Sequence, residues 1–391
     1  MILVSPGSRE LTARPELDSA LRHWLGEDRQ LLLVEGPPGS GKTAWAEMLG
    51  AAGDLRDEDG TTLARLMALH HCRRNDERSA DAALFLQNLA NQFARREPRF
   101  AEAFARHSAG KRNYQIHIAQ DLRGSSGASA VGMQIQILNI HGLSTAELLA
   151  DLLAPLDDLL ADPGPDWLVL VDAPDEPAKT DLADLLTALG DMPRRLRWLI
   201  TARPGAAFSR RLPESRASRL DLRALAGENR SLEAFIQERA KACGLLERLD
   251  PALPAADFLA TLAQRMQGNF LAARCAVDAL AASPGVLEKA ALERLPTELA
   301  QHYRNFLRRL PSHLLDAWAD GCGLLLGSLA VARAPLGEGE LAAITGLRAS
   351  VVRDLITRLK GYLQGDDSGW RLFHASFAEF LLDKKDAEEF W

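Results

Sequence analysis

The chain has 391 residues, of which 47% are hydrophobic and 25% are charged, and its formal net charge at pH 7 is -7. This length predicts two or three domains that each bury a core of their own. The acidic balance argues against a general nucleic-acid coat, because the molecule as a whole repels polyanions.

The cysteine pattern and the hydropathy predict a cytoplasmic protein with no membrane partner. The four cysteines form no CxxC pair, as expected in a reducing compartment. The longest apolar run, residues 321–332, is far below the roughly 20 residues that a bilayer span needs. The N-terminus lacks the basic region and the long apolar core of a signal peptide.

The first 226 residues alternate strand and helix patterns. Apolar residues at helical spacing predict a first helix over residues 8–26. Strands are predicted at residues 31–34, 64–72, 167–171, 198–202 and 219–225, and further helices at residues 43–49, 81–96 and 144–160. Two isoleucine-containing runs around a Gly/Ser/Ala stretch predict a hairpin-like insertion at about residues 114–142, with a mobile tip. The fully apolar strands favour a parallel sheet that helices cover on both faces.

Helical patterns alone follow from residue 231 to about residue 329. Further on, residues 341–345 and 349–360 predict two helices, a short strand follows at residues 370–373, and a last helix covers residues 377–382. This order is typical of a winged helix. We therefore expect an α/β domain at residues 1–226, an all-α helical domain at residues 227–310 and a winged-helix domain at residues 311–391.

A glycine-rich loop lies between the strand at residues 31–34 and the helix that follows it. Its sequence, Gly-Pro-Pro-Gly-Ser-Gly-Lys-Thr, matches the pattern G-x-x-x-x-G-K-[ST]. Backbone N–H groups of such a loop converge on phosphate oxygens at the start of a helix. Lys42 is expected to reach the β- and γ-phosphates, and the Thr43 hydroxyl to ligate Mg²⁺. The predicted nucleotide-binding residues of this loop are Gly36, Pro38, Gly39, Ser40, Gly41, Lys42 and Thr43.

A second acidic element follows the apolar strand at residues 167–171. Asp172 ends this strand and is the predicted magnesium aspartate. Asp175 and Glu176 come close enough behind it to orient or deprotonate an attacking water, with Glu176 the first choice as the base and Asp175 the second. The alternative is that both acids cap the next helix, because acidic residues favour helix starts.

The strand at residues 198–202 carries two further candidates near its end. Ligands of open α/β sheets bind outside the carboxyl ends of the strands. Thr201 and Arg203 are therefore expected to sense the γ-phosphate, although Arg203 could instead pair with a surface carboxylate.

His70, His71 and Cys72 lie next to one another, and together they could suggest a metal site. Neighbouring side chains on a strand point to opposite faces, so the three cannot close on one ion. We do not predict a metal there.

Taken together, the motifs GPPGSGKT, LVLVDAPDE and LITARPG resemble those of the STAND class of P-loop ATPases, which includes the NACHT proteins and the apoptotic and plant-resistance switches. Residues 69–72 with residues 85–90, and the insertion before Asp172, resemble a bacterial NACHT-type subgroup. Residues 268–271 resemble the glycine motif of the helical domain in this class. Residues 373–381 resemble its winged-helix ending.

The resemblance implies ATP or ADP as the nucleotide, with Mg²⁺, and a contact between His374 and the β-phosphate of ADP. Adenine is implied by the family, since no NKxD-like guanine reader is present. The chain departs from the family pattern at Phe270 and Leu271, where many members carry a proline. It departs again at Ala13, where a glycine usually precedes the arginine.

The function implied is a slow, regulatory ATPase switch of a signalling or defence protein. ADP would hold a closed state, and ATP would favour an open state that assembles into homo-oligomers. Effector and sensor modules, which usually flank this ATPase, are expected to lie outside this chain.

Two other functions stay open. One is a DNA-binding AAA+ ATPase with a winged helix, although residues 335–385 carry seven basic and seven acidic side chains rather than a basic field. The other is a signalling scaffold that binds the nucleotide without hydrolysing it.

Overall fold

The computed structural model describes residues 12–74, 76–109, 114–120, 131–137, 144–189, 192–212, 214–225, 228–312, 315, 318–319, 321–366 and 369–390. The chain divides into two compact units. The sheet unit comprises Leu17–Gly36 and Lys42–Asp221, and the helical unit comprises Met1–Glu16, Pro37–Gly41 and Leu222–Trp391. The domain boundaries expected at residues 226 and 310 stay predictions.

The sheet unit is built on a six-stranded sheet of order β2-β3-β6-β7-β1-β8. Its strands are β1 (Leu31–Glu35), β2 (Asp54–Arg56), β3 (Thr62–His71), β6 (Asp166–Asp172), β7 (Leu196–Ala202) and β8 (Ala217–Asp221). The central strands β1, β6 and β7 are almost wholly buried, as their mostly apolar sequences predict.

The expectation of a parallel sheet is right for five strands and wrong for β2. The pairs β3–β6, β6–β7, β7–β1 and β1–β8 are parallel, whereas β2 pairs antiparallel with β3. Only residues 57–61 separate β2 from β3, and a parallel crossover needs about a dozen residues or more. The short link therefore forces the antiparallel pairing at this edge.

Two predicted boundaries also differ from the structure. The strand predicted at residues 219–225 is β8, which ends at Asp221, because its partner β1 offers pairing positions only from Leu31 to Glu35. The first helix, α1 (Pro15–Leu25), is preceded by non-helical residues 12–14, and the predicted start at residue 8 lies outside the described residues. Proline suits the first helical position and disfavours helical backbone in the residue before it, so Pro15 fixes this start.

Helices pack against the sheet and build the first core. The helices of the sheet unit are α1, α2 (Lys42–Ala52), α3 (Ala82–Arg96), α4 (Pro98–His107), α5 (Thr145–Leu159) and α6 (Asp181–Thr187). Asp81 caps α3 by accepting from the Leu84 N–H at 3.0 Å. Phe85, Phe93 and Trp198 are among the largest fully buried side chains of this core.

The predicted hairpin insertion is confirmed for its strands. In the structure β4 (Tyr114–Gln120) pairs antiparallel with β5 (Val131–Ile137), with Tyr114 opposite Ile137. The expected tip, residues 121–130, lies outside the described residues.

The helical unit contains no strand of the six-stranded sheet. Its described helices are α7 (Glu228–Ala242), α8 (Ala255–Met266), α9 (Phe270–Ala282), α10 (Lys289–Glu293), α11 (Leu299–Leu307), α12 (Cys322–Val331), α13 (Glu338–Thr345), α14 (Ala349–Leu359) and α15 (Ala375–Leu382). Two apolar cores form here, one around α7, α8 and α9 and the other around α11, α12, α14 and α15. In the described ranges no helix has both the length and the apolar character that crossing a bilayer requires.

The C-terminal elements follow the order that a winged helix requires. Helices α13 and α14 precede an antiparallel pair, β9 (Leu363–Asp366) and β10 (Gly369–Leu372). Leu336 adds a further antiparallel bridge to Trp370. The assignment as a winged helix stays a prediction.

Candidate nucleotide site

The central strands of the sheet unit carry polar residues to one edge of the sheet. In the parallel register Asp172 lies between His71 on β3 and Thr201 on β7. Lys42 and Thr43 open helix α2 directly after the glycine-rich loop. This edge is where open α/β sheets bind their ligands.

Lys42 turns its ammonium group back toward the loop that precedes it. Its Nζ donates to the Gly36 carbonyl at 2.6 Å. Burial lowers the pKa of Lys42 to about 8, although Asp175, Asp172 and Glu176 act in the opposite direction. The side chain therefore keeps its charge at pH 7 in a partly dehydrated place, where an anionic ligand would be strongly attracted.

Asp172 is buried and is held at both carboxylate oxygens. The Thr201 hydroxyl donates to Oδ1 at 2.5 Å, and His71 Nδ1 lies 3.0 Å from Oδ2. Burial raises the pKa of Asp172, but hydrogen bonds from His71, Thr201 and Thr43 outweigh this and hold the pKa below its usual value. The carboxylate is thus charged and fixed next to the Thr43 hydroxyl, which is the pair predicted to ligate Mg²⁺.

Thr201 contacts Asp172 and the backbone that follows it. Its side chain is fully buried, donates to Asp172, and accepts from the Ala173 N–H at 3.1 Å. Ala173 has a φ of 55°, a left-handed conformation that is uncommon outside glycine. The structure therefore gives Thr201 a supporting contact to Asp172, and the γ-phosphate contact stays a prediction.

Arg203 brings the two candidate bases together. Its Nη2 lies 3.4 Å from Glu176 Oε1, and its backbone N–H donates to Asp175 Oδ2 at 3.3 Å. Burial raises the pKa of both carboxyls, and the positive charge of Arg203 acts against that rise. Neither acid lies within a helix, because α6 starts only at Asp181. Arg203 therefore pairs with the two candidate bases, which are largely buried and not surface carboxylates, and its contact with the γ-phosphate stays a prediction.

The other half of the glycine-rich loop, Pro37–Gly41, belongs to the helical unit. Three successive carbonyl groups of this segment accept hydrogen bonds from that unit. The Asn269 amide donates to Pro38 O at 3.1 Å, the Leu271 N–H to Gly39 O at 3.2 Å, and Arg14 Nη1 to Ser40 O at 3.0 Å. We call these three donors the loop clasp.

The loop and the clasp fit closely. Gly39 and Gly41 have φ values of 83° and 81°. A Cβ atom on Gly39 would lie 2.5 Å from Asn269 Oδ1, and one on Gly41 would lie 2.9 Å from Arg14 Nη1. Both glycines are thus required by backbone conformation and by space.

Arg14 is anchored from several sides. Its guanidinium lies 4.8 Å from the centre of the Phe270 ring and 3.1 Å from Glu16. Glu16 in turn accepts from the Ser231 hydroxyl at 2.7 Å. Sequence reasoning noticed Arg14 and residues 268–271 only through the family resemblance, and it did not connect them. The one local signal was an arginine directly before the proline that starts α1.

His374 caps the last helix of the helical unit. Its Nδ1 accepts from the Ser376 N–H at 3.1 Å, so a neutral ring carries its proton on Nε2. The Ser376 hydroxyl also lies 2.7 Å from this nitrogen and 2.8 Å from the Tyr303 hydroxyl. The ring is therefore fixed in orientation, and its predicted contact with ADP stays a prediction.

The residues present fit a magnesium nucleotide. The loop conformation is one that only glycines adopt readily, and Lys42 supplies a charge at its end. Asp175 Oδ1 is buried without a hydrogen-bond partner among the described residues, which leaves an acceptor for a bound water or ligand. Thr43 and Asp172 are hard oxygen ligands of the type that Mg²⁺ prefers.

The comparisons with known proteins find one family model. The model of the family "Nephrocystin 3, N-terminal", which is NACHT-related, matches residues 17–125. No curated protein matches the chain in sequence.

Solved structures are similar at low identity. The Signal Transduction ATPase with Numerous Domains (STAND) protein with a tetratricopeptide repeat sensor from Pyrococcus horikoshii is 13% identical, with a TM-score of 0.48 over 99% of this chain and 46% of that one. Cdc6p from Pyrobaculum aerophilum is 16% identical, with a TM-score of 0.37 over 99% and 98% of the two chains. The chain therefore spans less than half the length of the Pyrococcus protein.

The loop, the strand ends and the sheet order are those of a P-loop fold, and the family match covers the loop, α2 and β3. The chain therefore has a P-loop fold, and over residues 17–125 its sequence is similar to a NACHT-related family model, as the motifs predicted.

Proposed function

We propose that this protein binds ATP and ADP with Mg²⁺ and hydrolyses ATP slowly, as a molecular switch. The observation that carries the proposal is the charged, fixed Asp172 beside Thr43 and Lys42. A bound magnesium ion would neutralise charge on the β- and γ-phosphates. The loop Gly36–Thr43 and the positive end of helix α2 would hold the phosphates themselves.

Glu176 is the proposed general base, with Asp175 as its alternative. In the structure Arg203 Nη2 lies 3.4 Å from Glu176 Oε1, and its positive charge lowers the affinity of this carboxylate for a proton. A ligand anion that draws Arg203 away would release the base. Hydrolysis would then wait on this rearrangement, which supports a slow and regulatory ATPase.

The switch itself is proposed from the resemblance. ADP, held in part by His374, would favour a closed state, and ATP an open state that assembles with further copies of the chain. The balanced charge of residues 335–385 supports this function over DNA binding.

The test measures binding of fluorescent ADP and ATP by the purified chain, with and without Mg²⁺, followed by single-turnover phosphate release. Wild type should bind both nucleotides, and Lys42→Ala should lose most of the affinity. Lys241→Ala, an exposed lysine on α7, is the matched control and should bind as wild type. Failure of the wild-type chain to bind either nucleotide in the presence of Mg²⁺ would refute the proposed function.

A further inference from the structure

The side chains of residues 70–72 belong to neither a metal site nor the phosphate loop. Two of them contact Ser79, and the third contacts Asp172. His70 Nε2 lies 2.7 Å from Ser79 O, and the His70 ring packs edge-on against Phe85 with centroids 5.0 Å apart. Cys72 Sγ donates to the same Ser79 carbonyl at 3.5 Å. These two side chains therefore stabilise the segment between β3 and α3.

His71 points to the opposite face of β3, as strand geometry requires. Its Nδ1 lies 3.0 Å from Asp172 Oδ2, and the two residues are register partners in the parallel sheet. A carboxylate only accepts hydrogen bonds, so Nδ1 carries the proton. The side chain of His71 is 25% exposed, whereas that of Asp172 is 2% exposed.

The two strands beside β6 thus supply one donor each to the same carboxylate. Thr201 on β7 donates to Oδ1, and His71 on β3 donates to Oδ2. Two donors on opposite oxygens fix the rotation of the carboxylate plane. Partners that orient a metal-ligating carboxylate are typically worth about 10–100-fold in metal affinity.

We propose that His71 is a positioning residue, which orients Asp172 for magnesium through the hydrogen bond from its Nδ1. The inference rests on the proposed function, because it assigns the magnesium of the nucleotide to Asp172. His71 itself touches neither metal nor nucleotide in this role.

The test compares three variants in the full chain. An asparagine side chain would place an amide N–H near the position of Nδ1, so His71→Asn should retain the hydrogen bond. His71→Gln carries the same amide one methylene further out, and His71→Ala has no donor. His23→Ala, an exposed histidine on α1, is the matched control.

The measured quantity is the Mg²⁺ concentration at half-saturation in the binding of fluorescent ATP. We expect this concentration to rise about 10-fold or more in His71→Ala and His71→Gln, and to stay within about 3-fold of wild type in His71→Asn. ATP affinity in EDTA should be the same in wild type and all variants. If His71→Ala does not fold, the contrast between Gln and Asn carries the test.

Two results would overturn the proposal and are distinguishable. An unchanged magnesium half-saturation in His71→Gln, with normal ATP binding, removes the positioning role and leaves the proposed function intact. If wild type does not bind ATP, with or without Mg²⁺, both the positioning role of His71 and the proposed function are refuted.

Discussion

The ammonium group of Lys42 is charged at pH 7 although the side chain is largely buried. Its pKa lies at about 8, below the ordinary lysine value of 10.5, because burial disfavours the ammonium form. At pH 7 the folded protein must keep this charge partly dehydrated, whereas the unfolded chain keeps it in water. A phosphate ligand would offset that penalty, so the site is stabilised by the ligand that it binds.

We expect the ligand-free Lys42→Met variant to be more stable than wild type at pH 7. The shift in pKa corresponds to at most about 3 kcal/mol, and the remaining solvent contact of the side chain reduces this. The unfolded chain binds the proton more tightly, so the penalty is fully present below pH 8 and disappears as the pH rises to about 10.5. Urea unfolding at pH 7 and pH 10 measures the difference.

The same variant should lose the rise in melting temperature that we expect ADP to give wild type. A Lys42→Met variant less stable than wild type at pH 7 would show that the ammonium group is better compensated than its burial indicates.

Glu176 should give the hydrolysis reaction its pH dependence. Burial raises the pKa of its carboxyl, with Arg203 acting against the rise. A general base works only when deprotonated, so phosphate release should fall as the pH drops through a value above that of ordinary glutamate. Single-turnover assays across a pH series measure this.

Glu176→Gln should lower phosphate release by about 100-fold or more, with ATP binding retained. Asp175→Asn is the comparison, because Asp175 is the second candidate for the base. A larger loss in Asp175→Asn than in Glu176→Gln would reverse the assignment, and no loss in either would favour a scaffold that binds without hydrolysing.

The candidate site residues could be identified from the sequence, but the hydrogen bonds and ion pairs between their side chains could not. Asp172 was identified because it ends an apolar strand, and the parallel register places it as expected. The contacts of Thr201 and Arg203 depend on side-chain rotamers, which strand periodicity does not determine. The sequence alone does not single out His71, because His70, His71 and Cys72 cannot all bind one ion, and only the register of β3 on β6 reveals the partner of His71.

At the scale of elements, the loop clasp joins the start of α9 to the glycine-rich loop inside the helical unit. We expect Gly39→Ala to destabilise this unit by more than a left-handed alanine alone would. Gly60 is the matched control, since its φ is 84° and a Cβ there meets nothing within 4 Å. Gly60→Ala should cost about 1–2 kcal/mol, and Gly39→Ala clearly more, because Asn269 and Leu271 must move.

Thermal unfolding of the two alanine variants in the absence of ligand measures this difference. Equal losses of stability in Gly39→Ala and Gly60→Ala would mean that Asn269 and Leu271 move at little cost and that the loop clasp contributes little to stability.

Element types were predicted well where the hydrophobic pattern is long. The buried strands β6 and β7 lie within one or two residues of their predicted ranges. The strand β2 has only three residues and exposed ends, so it has no periodic signal and was missed. Its antiparallel pairing follows from the length of the connecting segment, which a pattern search for apolar runs does not consider.

At the scale of the whole molecule, the switch proposal predicts that oligomerisation depends on the nucleotide. Light scattering after size-exclusion chromatography should give a monomer with ADP and larger species with Mg²⁺ and a slowly hydrolysed ATP analogue. Steady-state turnover should be well below about 1 s⁻¹, at the slow end for enzymes. Fast, unstimulated ATP hydrolysis by monomers would contradict a switch that must persist in each state.

The sequence predicted the α/β part and the helices that follow it, because each buries its own apolar pattern. The extents of the domains were set at residues 226 and 310 from changes in that pattern. Contact between the loop segment Pro37–Gly41 and distant helices could not be read this way, because it joins residues more than 200 positions apart.

The loop clasp also fixes the direction of two backbone N–H groups in the glycine-rich loop. A peptide group is planar and trans, so the C=O of one residue and the N–H of the next point in opposite directions. Asn269 fixes the carbonyl of Pro38 and thereby aims the amide of Gly39, and Arg14 does the same for Gly41 through Ser40. Each peptide group rotates as a rigid unit. A ligand that rotates the N–H of Gly39 or Gly41 must therefore also move the carbonyl oxygen of Pro38 or Ser40, and with it the hydrogen bond from Asn269 or Arg14.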